Sequence, residues 1–312
     1  MTSSVDTGLA AVVRRFGPPE VIRIEPVATP PPGPGQVRLR VQAAGVGAWD
    51  AQVRSGLGPI AHSLPLVLGG DLAGVVESVG PGVAALEVGD AVFGVTNTRL
   101  TGACAELALA EAARILLRPT MLTSIEAAAV PVAACTALQA IELAGISAGM
   151  RTLVLGAGGN VGEWTTRLAL GRGAEVVAVL QEPEVGEARG LGARQVLTSL
   201  PARAPLFDVV LDTMGGVVAG SSLRLLRPGG RLVSSVQTIE PASFGRHDVS
   251  TRLFRVDVTS DRLRVLSGWI DGGGFPASLG EVMPLRDAVR AHRKLEGLEP
   301  KTRGHLVLRV SD

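Results

Sequence analysis

The sequence predicts an α/β protein in which a doubly wound parallel sheet accompanies a smaller β-barrel. Three observations carry that expectation. Thr152 to Arg172 reads TLVLGAGGNVGEWTTRLALGR: an aliphatic run, a glycine turn, then apolar residues at helical spacing. Beyond it, to about residue 257, short apolar runs alternate with helical stretches. Before it, residues 1 to about 118 carry short β signals broken by Gly and Pro. At 312 residues the chain is long enough for two domains, and its 46% hydrophobic content suits a sheet buried on both faces.

The glycine turn organises the rest. Leu153-Val154-Leu155 reads as a buried strand, and only small residues follow, from Gly156 to Asn160. From Val161 a helix is expected, with Trp164 and Leu168 on its apolar side and Arg167 and Arg172 opposite. Gly162 falls where such a helix packs tightly on its strand, and Gly159 where a phosphate approaches the backbone. The helix N-terminus favours an anion through its N–H groups and its dipole. The strict G-x-G-x-x-G pattern is not met, because Ala157 stands at its first glycine. Glu175 to Leu180 supplies a second strand and closes a βαβ unit.

In chain order, Pro30 to Gly35 is a stiff loop and Val37 to Val41 alternates as a half-buried strand. Leu64 to Val95 holds strands separated by glycine turns, as in a small barrel. Ser124 is the expected N-cap of an alanine-rich helix that reaches Leu143 and breaks near Pro131. Phe207 to Asp212 is the next buried strand. Gly215-Gly216 opens a helix through Leu226, which Pro228-Gly229-Gly230 ends. Arg231 to Ser235 and Arg252 to Val258 are further strands. The tail carries two helical stretches and closes on His305 to Val310, a strand expected to return to the first domain. The boundaries expected are 1–120, 121–262 and 263–312.

Charge and cysteine content exclude several functions. Thirty basic against 29 acidic residues leave a net charge of +1, which argues against nucleic acid or an anionic membrane as partner. Two cysteines make neither a disulfide framework nor a four-ligand zinc site. Met1 to Thr7 is polar and precedes no apolar leader, and Ala127 to Ile141 is too short to span a bilayer, so a cytoplasmic location is expected. The four histidines, His62, His247, His292 and His305, have the spacing of neither a metal cluster nor a triad. His292, beside Arg290 and Arg293, reads as a solvated face residue, and Cys104 as a small buried hydrophobe.

Taken together, AAGVGAWDAQVRSG (Ala43–Gly56), LGGDLAGVVESVGPGV (Leu68–Val83), VGDAVFG (Val88–Gly94), GACAELAL (Gly102–Leu109), AAAVPVAACTALQAI (Ala127–Ile141), GAGGNVG (Gly156–Gly162), LGARQVL (Leu191–Leu197), DVVLDTMGG (Asp208–Gly216), LRPGGRLVS (Leu226–Ser234) and RGHLVLRV (Arg303–Val310) resemble, in order, the zinc-independent quinone oxidoreductase branch of the medium-chain dehydrogenase/reductase superfamily. The resemblance implies a Rossmann-type NADP(H)-binding domain inserted in a GroES-like β-barrel domain. It implies hydride transfer to a quinone, an enone or another conjugated carbonyl, and a homodimer paired through the edge strand Thr251–Val258. Where zinc-dependent relatives carry a cysteine and a histidine, this chain has Gly47 and Gly70, and the structural zinc lobe's cysteines are missing, so no metal is expected.

Residue by residue, the resemblance assigns the cofactor to Thr136, Gly156, Gly159, Asn160, Val161, Gly162, Gln181, Glu182, Ser234, Ser235, Val236, Phe254 and Val256. NADPH is the cofactor it implies. Glu182, at the end of the second strand, would instead repel a 2′-phosphate or bind a free 2′-hydroxyl, which keeps NADH as the alternative. Trp49, Gln52 and His62 are expected to line the cleft for a small-molecule substrate. The family's asparagine and aromatic positions are Gly47, Gln52, Gly58, Cys104 and Leu107 here, and the chain has no tyrosine. Asp50 is the candidate catalytic residue, although the reading favoured for Asp50 and Arg54 is a loop held by a salt bridge. Two other functions stay open: a redox-neutral tailoring enzyme, and a cofactor-binding sensor without turnover.

Overall fold

The computed structural model describes residues 6–180, 189–202, 206–274 and 278–311. The chain divides into two compact units, one made of Met1–Val132 with Val258–Asp312 and the other of Ala133–Asp257.

The first unit is built on β1 (Asp6–Val13), β2 (Ile22–Thr29), β3 (Gln36–Val46), β4 (Leu66–Val67), β5 (Asp71–Val79), β6 (Ala91–Val95), β7 (Leu107–Glu111) and β8 (Ile115–Leu117). Its long strand is β3. The alternation read at Val37–Val41 gives way to a fully buried AAGV end, so the strand runs five residues past Val41 into the core. β1, β2 and β4 form a separate three-stranded sheet. One short helix, α1 (Ala48–Ser55), follows β3 and ends on Gly56, whose φ of +75° favours glycine.

A second helical stretch, α2 (Ser124–Ala127), is capped by Thr123 rather than Ser124: Thr123 Oγ1 accepts the Glu126 N–H at 3.3 Å, and Glu126 Oε2 accepts the Thr123 N–H at 2.8 Å. The helix break precedes Pro131, which opens α3 (Pro131–Ala144). Asp71 Oδ1 accepts the Val132 N–H at 2.7 Å, which places this segment with the first unit. The division therefore falls at 132/133, not at 120/121.

The second unit contains β9 (Arg151–Leu155), α4 (Asn160–Gly171), β10 (Glu175–Val179), β11 (Gln195–Leu197), β12 (Phe207–Asp212), α5 (Gly216–Ser222), β13 (Leu226–Ser234) and β14 (Ser250–Leu253). All neighbours pair in parallel, in the order β11-β10-β9-β12-β13-β14. That is a doubly wound sheet whose order reverses between β9 and β12. Leu153, Leu155, Val210, Leu232 and Phe207 are buried in one cluster with Ala219 and Leu223 of the helical side.

Two expectations change here. Pro228-Gly229-Gly230 lies inside β13, at a shift of register against β12, rather than ending a helix; α5 already stops at Ser222. The edge strand is Ser250–Leu253, not Arg252–Val258. Beyond it, Gln139 Nε2 donates to Arg255 O at 3.1 Å and its Oε1 accepts the Asp257 N–H at 3.0 Å, so a side-chain amide occupies the backbone groups there.

The chain then returns to the first unit through α6 (Ser260–Asp271), β15 (Leu279–Pro284), α7 (Ala288–Leu295) and β16 (His305–Arg309), a boundary at 257/258 rather than 262/263. β16 lies antiparallel on β3, completing a seven-stranded sheet. No helix among the described residues is long and apolar enough to cross a membrane.

Candidate functional site

The predicted site residues fall in two places, one in each unit. In the second unit they gather at the carboxyl ends of β9, β12 and β13, where the strand order reverses. Gly156, at φ +82°, turns the chain out of β9; a Cβ there would lie 2.5 Å from Thr213 Oγ1. Gly162 is required by packing, since its Cβ would sit 1.9 Å from the Gly156 carbonyl oxygen. Gly159 differs. It is the N-cap of α4 at φ −83°, a conformation open to any residue, and the nearest atom to its would-be Cβ is 3.5 Å away. The space over Gly159 is open at the positive end of a 12-residue helix. Glu163, in the first turn, is neutralised by Arg167 at 2.8 Å.

Asp212 organises the facing loop. Its Oδ1 accepts the N–H groups of Met214 and Gly215 at 3.0 and 2.9 Å, and its Oδ2 accepts the Ser234 hydroxyl at 2.7 Å. Ser234 Oγ in turn accepts the Val236 N–H at 3.1 Å. Ser234 thus shapes the turn, and Val236 is left half-exposed beyond it. Thr136 is buried on α3, and Phe254 is buried with its N–H on Ser234 O at 3.1 Å. Val256 is half-buried. Gln181 and Glu182 lie outside the described residues.

In the first unit Asp50 is buried at the start of α1. Its carboxylate accepts the Gly47 N–H at 2.8 Å and also bonds the Gly69 N–H. Burial pushes its pKa up to about 7 against the backbone hydrogen bonds from Gly47, Gly69 and Asp50 itself. It does not pair with Arg54, so the loop is held by backbone N–H groups and not by the expected salt bridge. Burial also raises the Asp71 carboxyl, and burial with the charges of Asp50 and Asp71 raises the Cys104 thiol, which stays protonated. Trp49 donates its indole N–H to Arg99 O at 3.3 Å, and Gln52 is exposed on α1. His62 lies in the loop before β4, with its Nε2 buried.

At the zinc-ligand positions, a Cβ on Gly70 would lie 2.7 Å from the Cβ of Leu100. Leu100 is buried at φ +56° and fills the space where a histidine side chain would begin. Among the described residues, no three His, Cys, Asp or Glu side chains are placed to hold a metal ion.

Arg54 serves a different centre. It is buried, with Nε on Gly17 O at 3.0 Å, Nη2 on Glu296 Oε1 at 2.5 Å and Nη1 3.3 Å from His292 Nδ1. His292 is therefore not solvated. A guanidinium only donates, so Nδ1 accepts and the ring is neutral. Burial and the Arg54 charge lower its pKa to about 3 from 6.5. Between those values the unfolded chain binds a proton that the folded chain excludes. Stability is therefore lost on acidification, at about 1.4 kcal/mol per pH unit for this group. Asp50 acts oppositely between 3.8 and about 7, where the folded chain holds the proton. His292→Gln, which keeps an acceptor for Arg54, isolates the histidine: urea unfolding should show a flatter loss of stability below pH 6.5 than the parent. Parallel curves would refute it.

Sequence reasoning missed Asp71, Asp212 and Arg99. Asp71 and Asp212 had a signal, a lone carboxylate at the end of an apolar strand; Arg99 had none.

Residues 33–137 match the family model of the alcohol dehydrogenase GroES-like domain, and residues 191–308 that of zinc-binding dehydrogenases. The quinone oxidoreductase of Sus scrofa is 30% identical over 309 residues, covering 91% of this chain and 92% of that protein. The chain belongs to the quinone oxidoreductase branch of the medium-chain dehydrogenase/reductase superfamily. Within this branch, the quinone oxidoreductase from Coxiella burnetii superposes with a TM-score of 0.90 at 27% identity, over 98% of this chain and all of that one. The mycobacterial Rv1454c, solved in complex with NADPH, gives 0.84 at 28% identity over 97% and 100% of the two chains. A polyketide synthase protein of Streptomyces orinoci, NorB, is 39% identical over 223 residues, 68% of this chain. The chain spans 10% or less of the length of the polyketide synthases it matches.

Proposed function

We propose that the protein is an NAD(P)H-dependent oxidoreductase that reduces a quinone, an enone or another conjugated carbonyl without a metal. One observation carries this: at the switch point of the sheet, the glycine turn is closed at Gly162 and open at Gly159, a cradle for a pyrophosphate on the N-terminus of α4. Family membership supplies the class of chemistry. The bound nicotinamide would supply the hydride. The chain's own residues bind and orient. Gly159, Val161 and Gly162 would admit the phosphates, and the turn that Asp212 and Ser234 hold would border the ribose. In the first unit, Asp50 fixes the start of α1 and so the position of Trp49.

NADPH is the proposed cofactor, as in the mycobacterial neighbour's complex; Glu182 favours NADH. Metal independence is supported by Leu100 filling the space beside Gly70. The same reading includes a homodimer paired through the outer edge of β14. Titration of both cofactors by fluorescence, then oxidation assays over enones, quinones and alkenals with and without a chelator, tests the proposal. Cofactor oxidation that survives the chelator, with an unchanged melting temperature, is expected. Tight nucleotide binding with no oxidation across the panel would favour a non-catalytic sensor.

A further inference from the structure

We infer that the first unit carries an anion-binding site at Arg99 and His62, beside Trp49, and that the preferred substrates are conjugated carbonyls bearing a carboxylate or a phosphate. The substrate half of this statement rests on the reductase reading; the anion site does not.

The turn that presents Arg99 is built. Thr96 Oγ1 and Asn97 Nδ2 both donate to Thr101 O at 2.7 Å, and the Arg99 N–H donates to Asn97 Oδ1 at 2.8 Å. Leu100 is the one non-glycine residue with positive φ among those described. Strain of that kind persists where surroundings over-determine it, and here Leu100 is anchored against Gly70. The result fixes Arg99 at the surface with its carbonyl on the Trp49 indole at 3.3 Å and its Nη1 on Ala61 O at 3.2 Å.

Arg99 Nε and Nη2 have no protein partner, and no carboxylate pairs with this guanidinium among the described residues. Other arginines of the chain do pair, including Arg38, Arg54, Arg114, Arg167 and Arg246. Next to Ala61, His62 Nε2 is buried and bonds nothing. Buried polar atoms of folded proteins are nearly always satisfied, so an orphan beside an unpaired cation points to a partner that carries acceptors. Burial and the Arg99 charge lower the His62 pKa, so the ring is neutral and can offer one N–H. A guanidinium edge plus an imidazole N–H fits a carboxylate or phosphate. Trp49, packed on the core of the unit, adds an apolar wall for a conjugated system.

Inorganic phosphate and crotonate, titrated separately into the whole chain without nucleotide, should each shift the His62 imidazole NMR signals saturably at millimolar concentration. The shift should vanish in Arg99→Gln. A shift with only one of the two names the anion and still supports the site; no saturable shift with either overturns it. Kinetics then test preference with a neutral enone and the same enone carrying a carboxylate. Arg99→Gln should raise KM for the charged substrate about tenfold at unchanged kcat, leave the neutral one unaltered, and be partly rescued by Arg99→Lys. An equal rise for both substrates would overturn the preference. Absence of all turnover would refute the reductase reading and leave the titration standing.

Discussion

Gly159→Val is expected to abolish dinucleotide binding while the protein stays folded. At φ −83° the backbone accepts a branched residue, and no protein atom approaches its Cβ closer than 3.5 Å. The isopropyl group would therefore occupy only the space proposed for the phosphate, at the positive end of the helix. Loss of those contacts should weaken NADPH and NADH alike by about a hundredfold or more, some 3 kcal/mol. Gly162→Ala should do the opposite. Its methyl would be driven to within 1.9 Å of the Gly156 oxygen, so turn or helix must give way, at a cost of about 3 kcal/mol of stability. Fluorescence titration and thermal melting on both variants separate the two roles. A Gly159→Val protein that binds normally would remove the basis for placing the pyrophosphate there.

Arg54→Ala is the second large effect. The side chain is 2% exposed; it ties the end of α1 to α7 through His292 and Glu296, and to the segment between β1 and β2 through the Gly17 carbonyl. Truncation leaves a cavity and three groups that have lost their donor. Glu296, at 31% exposure, can recover some hydration, which places the loss near the low end for a broken buried pair, about 3 kcal/mol. For a chain of this size that lowers the melting temperature by about 5 °C. Nucleotide affinity should be unchanged, because no residue of this network belongs to the second unit. A melting temperature within a degree or two of the parent would mean that the ion pair only offsets its own desolvation.

The unequal legibility of these centres has a physical origin. The β9 turn and α4 form one continuous stretch, where a positive φ at Gly156 and helix packing at Gly162 each demand glycine, so sequence order alone exposes them. The apolar runs of β10 and β12 are equally plain, because a strand buried on both faces has no polar positions. Arg54 and His292 stand 238 positions apart, and nothing local distinguishes a buried cation from a solvated one. His292 in particular sits between two arginines on a helix, the pattern of a wet face, and only the arrival of α1 makes it interior. The edge strand is shorter than its pattern implies because Phe254, Val256 and Val258 alternate as a strand does, while Gln139 supplies the hydrogen bonds a neighbouring strand would have given.

Gly70 and Leu100 also bear on how this branch can change. Their fit is mutual: the missing side chain at one position makes room for the other, whose backbone is bent into an unfavourable region to reach it. A histidine introduced at 70 meets Leu100 before it can reach any ion, and Cys104 crowds neighbouring Gly69 in the same way, with its Sγ 2.5 Å from where a Cβ would stand. Building a metal centre at position 70 is thus a concerted problem, in which ligand and filler must change together. Each single step toward it lowers stability first.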